Sequence, residues 1–182
     1  MSSFILLRWG KALIACVSGV ACAGLLTVAG ALFVSQGAAA ADAGKAAKEA
    51  ERAARVIATR QGALKLMGYY MFPLGGMARG RIPMDTALVA RNAAHIGNLA
   101  PMLTDTFKAN TAASGVESQA LPVIWEQPAE FQAKIETLIE RAAELTRVAA
   151  IEDVEEGAVK GAIGKLGQAC GSCHDDFRVD DK

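Results

Sequence analysis

The pentapeptide Cys170-Gly171-Ser172-Cys173-His174 limits what this 182-residue chain can become more than any other stretch. Two thiols at that separation reach the two vinyl groups on one edge of a porphyrin, while the adjoining imidazole turns beneath the ring to hold iron. The pattern predicts one covalently attached haem c, with Cys170 and Cys173 as thioethers and His174 as the axial metal ligand. Zinc is a rival, but a closed tetrahedral site needs four ligands. Outside the N-terminal apolar run, the chain holds only one further histidine, His95, and no further cysteine. A redox Cys-x-x-Cys is a second rival, and it belongs where a strand enters a helix. Here both flanks read as helix.

The N-terminus carries a separate signal. Arg8 and Lys11 precede an apolar run from Ala12 to Val34, interrupted by Ser18 and Thr27, and small residues follow from Gly37 to Ala41. That is the order of a secretory signal peptide with an Ala-x-Ala type cleavage site. The run is also long enough for an uncleaved membrane anchor. Either way residues 1–41 form a leader, and the chain after them is exported to the periplasm, where c-type haem is attached. Cys16 and Cys22 fall inside the leader and read as small apolar residues; Lys11 stands too close before Leu13-Ile14-Ala15-Cys16 for a lipoprotein box.

Residues 42–182 then form one domain. Without the leader the chain keeps 17 basic against 19 acidic residues, a net charge of −2. No basic stripe marks a nucleic-acid partner, and no run of like charge marks a tail. Few aromatics and abundant Ala favour helices.

Four helical stripes follow. From about Gly44 an Ala-rich, charged segment leads into Ile57, Leu64, Met67, Met71 and Leu74, the spacing of a bundle seam. Arg60 lies on the same stripe and calls for an anionic partner, a haem propionate for instance, or else escape to the surface. Pro73, Gly75 and Gly76 are expected to loosen this helix, and Gly80 to Pro83 to connect it to the next. Asp85 is placed to cap a second helix with Val89, Asn92, Ile96, Leu99 and Leu103 on one face, limited by Pro101; His95 lies beside that face. From Thr104 to Gln127 periodicity is lost, which predicts a long ordered loop, with covering a haem edge as one possible task. Pro128 opens a third helix with the stripe Phe131, Ile135, Leu138, Ala142, Leu145, Ala149. The fourth carries Val159, Ile163, Leu166, Cys170, Cys173 and Phe177. Both thiols thus occupy core positions, so haem belongs inside the bundle, and Arg178 stands one turn after His174. Gly161, Gly164, Gly167 and Gly171 recur here without forming a phosphate loop.

The chain at this point resembles the cytochromes c prime, periplasmic four-helix bundles with a C-terminal haem motif. The resemblance covers residues 48–178 and rests on Arg60-Gln61-Gly62-Ala63-Leu64, on Pro122-Val123-Ile124-Trp125, and on the run from Cys170 to Arg178. It implies an all-α, antiparallel four-helix bundle and a homodimer packed through the first two helices. It also implies that Arg60 and Gln61 contact haem, that Leu64 stands over the sixth iron position, and that Arg178 borders the proximal pocket. Leucine cannot ligate, so the implied iron is five-coordinate and high-spin. Its task would be electron transfer with small redox proteins, binding of NO and CO, or both. The acidic loop residue of some members is replaced here by Gln119.

Alternatives are a low-spin carrier of the cytochrome c-556 type, with Met67 or Met71 as second axial ligand, and an enzyme. In the former the methionine stands where this chain has Leu64. A peroxidase or nitric oxide reductase would want a distal acid or base, and only His95 is on offer.

Overall fold

A computed structural model describes residues 26–179, with side chains from Ala41 onward. The chain divides at Gly44 into two compact units. Of the first, the described part is the opening of a helix. The second contains the bundle.

Helix α1 spans Leu26–Ala78, so it begins well before the expected start near Gly44. The Ala-rich stretch contains isolated glycines but no proline, and its propensity carries the helix through. The leader expectation falls largely on residues 1–25, which lie outside the described residues. Among the described residues, no helix is long and apolar enough to cross a membrane. The helix also continues through Pro73, where the sequence suggests loosening. Gly75 and Gly76 serve closeness instead: a Cβ on either would lie 3.1 Å from the Arg79 guanidinium or from Ile82. The end is a Schellman turn. Gly80 adopts φ 68°, its N–H donates to Met77 O and that of Arg81 to Gly76 O, both at 2.9 Å, which satisfies carbonyls the helix leaves open.

Helix α2, Thr86–Leu99, starts at the expected cap, with Asp85 accepting from Leu88 N at 2.9 Å. Pro101 stops it and opens a short α3, Pro101–Thr106. The expected loop follows, broken by the single-turn α4, Val123–Glu126. Helices α5, Pro128–Ala149, and α6, Glu156–Phe177, complete the bundle.

The six-residue stripe expected for the third helix is the buried face of α5. It packs against α2 on one side and α6 on the other. Val89 and Ile96 of α2, and Val159, Ile163 and Leu166 of α6, are essentially closed to solvent. Each such side chain contributes about 1.5–3 kcal/mol through burial. From α1 come Met67, Leu74 and Met77. Asn92, buried on α2, donates from Nδ2 to Tyr70 O at 3.0 Å. That bond ties α1 to α2 at a polar group which would be costly to bury alone.

Candidate haem site

On α6 the spacing of three residues puts Cys170 and Cys173 one turn apart on one face. Both are half-buried, packed against the core and free of any disulfide. This is shallower than the full core position their stripe suggests. Burial pushes both thiols up, Cys173 to about 11, with the Lys134 ammonium pulling the other way. Lys134 itself is bound to Asp176 at 2.7 Å. Next to the thiols, His174 is exposed at the helix end. Its basicity is lowered, chiefly by desolvation and then by the Arg178 charge, against the pull of Asp175.

Arg178 departs from the sequence expectation of a helical residue one turn after His174. The helix ends at Phe177, and Arg178 is extended, φ −121° and ψ 143°. Its N–H still donates to His174 O at 3.0 Å, while its backbone forms an antiparallel bridge with Ala120. On each side of that bridge, Leu121 N donates to Phe177 O at 3.0 Å and Val179 N to Gln119 O at 2.9 Å. The C-terminal strand-like tail is thereby fixed to the loop before α4.

On α1, Leu64 is 37% exposed although it lies on the core stripe, and Gln61 is at the surface. Met67 is committed to the core. Met71 is half-buried, and its methyl lies 3.6 Å from the place a Cβ would occupy at Gly167 of α6. His95 is exposed and stacks on Tyr70, ring centroids 4.6 Å apart.

Arg60 is the most deeply held of these side chains, at 2% exposure. Its protein partners are neutral acceptors. Nε donates to Thr106 O and Nη1 to Thr111 Oγ1, each at 2.7 Å, and Nη2 donates to Ala109 O. The planar group also lies over Phe107, 4.6 Å to the centroid, and near Trp125 at 5.2 Å. Oriented carbonyl dipoles and ring faces offset the desolvation that lowers its pKa. Trp125 Nε1 donates to Phe107 O at 2.8 Å, closing the unit. Periodicity could not reveal Phe107 or Thr111, since neither belongs to a stripe; Trp125 is legible in the sequence through the Pro122-Val123-Ile124-Trp125 motif, but not as a partner of Arg60.

The donor set suits haem. Two thiols sit one turn apart on a half-buried face, an imidazole follows at the open end, and a Cβ at intervening Gly171 would meet nothing within 4 Å. Among the described residues, no three His, Cys, Asp or Glu side chains are grouped to hold a metal ion, so nothing there completes a zinc site. A helical bundle with this motif on its last helix defines a c-type cytochrome.

The comparisons agree. The family profile described as Cytochrome C' matches residues 55–178. Cytochrome c-554 of Cereibacter sphaeroides is 34% identical over 74% of this chain and 88% of its own. Cytochrome c' of the same organism is 35% identical over 74% of this chain and 89% of its own. The solved structure of cytochrome c' from Rhodopseudomonas palustris superposes with a TM-score of 0.63, at 35% identity, over 70% of this chain and 98% of that one. The chain belongs to the cytochrome c' family, and its cofactor is a covalent c-type haem.

Proposed function

We propose that His174 is the only protein ligand to the iron, and that the protein exchanges single electrons and binds small neutral gases over an apolar face at Leu64. The observation that carries this is Leu64 itself. It is the one residue of the core stripe on α1, apart from half-buried Met71, that the packing leaves open, and its side chain has no atom able to ligate. When bound, haem supplies a one-electron couple and a coordination position on iron for a gas. The protein's part is to present His174 at the end of α6, to hold the ring edge through Cys170 and Cys173, and to keep donors away from the opposite face. Such a face favours NO and CO and gives bound O₂ little help. No side chain is asked to act as acid or base.

The test is the optical spectrum of ferric and dithionite-reduced protein, with and without CO. A broad high-spin spectrum with a large shift on CO binding is expected. Sharp low-spin bands that ignore CO would overturn the reading. They would favour a second one, an electron carrier of the cytochrome c-556 type, for which Met71 is the candidate because its thioether already reaches α6 one turn before Cys170.

In the same reading residues 1–41 are the export leader or inner-membrane anchor, residues 42–182 are the haem domain, and the compartment is the periplasm. Two copies associate through α1 and α2. On that face Leu66, Tyr69 and Phe72 are 49%, 73% and 81% exposed. Beside them runs a groove of about 470 Å³ lined by Gly68, Tyr69, Phe72, Leu88 and Arg91. A projecting aromatic ridge next to an apolar groove can match itself across a two-fold axis. Sedimentation equilibrium of the holoprotein at micromolar concentration is expected to give a dimer, and Phe72→Glu to give a monomer with an unchanged haem spectrum. A monomeric parent would refute the association.

A further inference from the structure

The segment from Thr106, the last residue of α3, to the start of α4 is bonded at both of its ends to the two helices on which the haem site is proposed. Its first part, Thr106 to Thr111, accepts three hydrogen bonds from Arg60, which stands one helical turn before Leu64 on α1. Its last part, Gln119 to Leu121, is joined by main-chain bonds to Phe177 and Val179, directly after the haem motif of α6. Between these anchors Ser114 Oγ donates to Thr111 O at 2.7 Å, and Trp125 holds Phe107 from behind.

We propose that residues 106–121 are a strap joining the distal helix α1 to the end of the haem-bearing helix α6, and that Arg60 is the side chain that latches it. The haem reading enters only through the site at which the strap lies. The physical reason to assign the latch to Arg60 is the fork. Three of its five N–H groups leave in different directions to Thr106, Ala109 and Thr111, and its plane lies close to the rings of both Phe107 and Trp125. A lysine has the charge but neither the fork nor the plane. Charge alone therefore does not close the strap, whereas a role confined to balancing a haem propionate would need only the charge.

Lys108 provides the readout. It is exposed within the strap, paired only on the surface with Asp105 at 2.7 Å, and trypsin can cut after it once the segment opens. Limited tryptic digestion of the holoprotein is followed by mass, scoring cleavage after Lys108 against cleavage after Lys165 on α6. Arg60→Lys is expected to accelerate the cut at Lys108 by about tenfold or more, as local opening becomes easier. Thr111→Val, which removes one acceptor and leaves the arginine in place, is expected to accelerate it severalfold and keeps the test alive if the first variant folds poorly. Cleavage at Lys165 is expected to stay at the parent rate. Parent-like resistance at Lys108 in either variant overturns the latch. So does an equal rise at Lys108 and Lys165, which reports general loosening. The digestion reads the strap whichever ligands the iron takes, so its failure leaves the coordination reading untouched.

Discussion

Serine at both Cys170 and Cys173 is expected to give a chain that carries no covalent haem. A thioether needs sulfur, and a serine hydroxyl does not take its place on a vinyl group. The two thiols share one half-buried face of α6, a single turn apart, so in the proposed reading they would hold one ring edge together, and among the described residues they are the only free cysteines. The fold is expected to survive, because a hydroxyl at a half-exposed helix position can bond to water or to the carbonyl one turn back at a cost of about 1 kcal/mol. The check is the mass of the denatured protein, with haem retained by the parent and lost by the double variant. Either single variant is expected to keep one thioether and bind haem less completely. A double variant that retained haem through denaturation would mean that the attachment point lies elsewhere. The same mass for the exported parent reads the start of the mature chain, and so decides between a cleaved leader and an anchor.

Methionine at Leu64 is expected to close the iron. Leucine and methionine differ little in volume, so the exchange costs less than about 1.5 kcal/mol in packing, and the position is already 37% exposed. The new thioether is tethered on α1 and competes with an external gas from a high effective concentration. Methionine and histidine together form the axial pair of low-spin cytochromes c. The reduced variant is expected to show narrow low-spin bands and to bind CO more weakly by on the order of a hundredfold. Leu64→Ala separates the possibilities: it cannot ligate, so it is expected to stay high-spin and bind CO at least as well as the parent. A methionine variant with unaltered CO binding would place the distal face away from Leu64, and Met71 would then be the side chain to replace next.

How far the fold could be read in advance depended on periodicity. The α5 stripe from Phe131 to Ala149 appeared in full because every third or fourth residue is apolar and nothing competes with burial there. The Asp85 cap was equally legible, since its side chain needs only the local N–H of Leu88. Pro73 does not loosen α1 as its sequence suggests: tertiary contacts through Leu74 and Met77 hold the last turns in place, at the expense of one missing hydrogen bond. Arg178 was expected to continue α6. Its pairing with Ala120 draws it into an extended conformation instead, and a partner more than fifty positions away leaves no trace in local sequence.

Arg60 shows the boundary most clearly. Its place on an apolar stripe made burial visible, and the cost of burying an unpaired charge made a partner necessary. The neutral acceptors that also hold it were beyond the sequence, because Thr106 and Ala109 contribute carbonyls that every residue type possesses.

The sequence by itself determined the cofactor and the helical class. The Cys-x-x-Cys-His spacing is a covalent and local requirement, and helical stripes repeat within a few residues. Only the tertiary structure decided that the thiols are half-buried, that Leu64 is left open, and that a loop ties α1 to the end of α6. Those outcomes depend on which surfaces meet, and burial and hydrogen-bond partnership between distant segments arise only when the helices have packed.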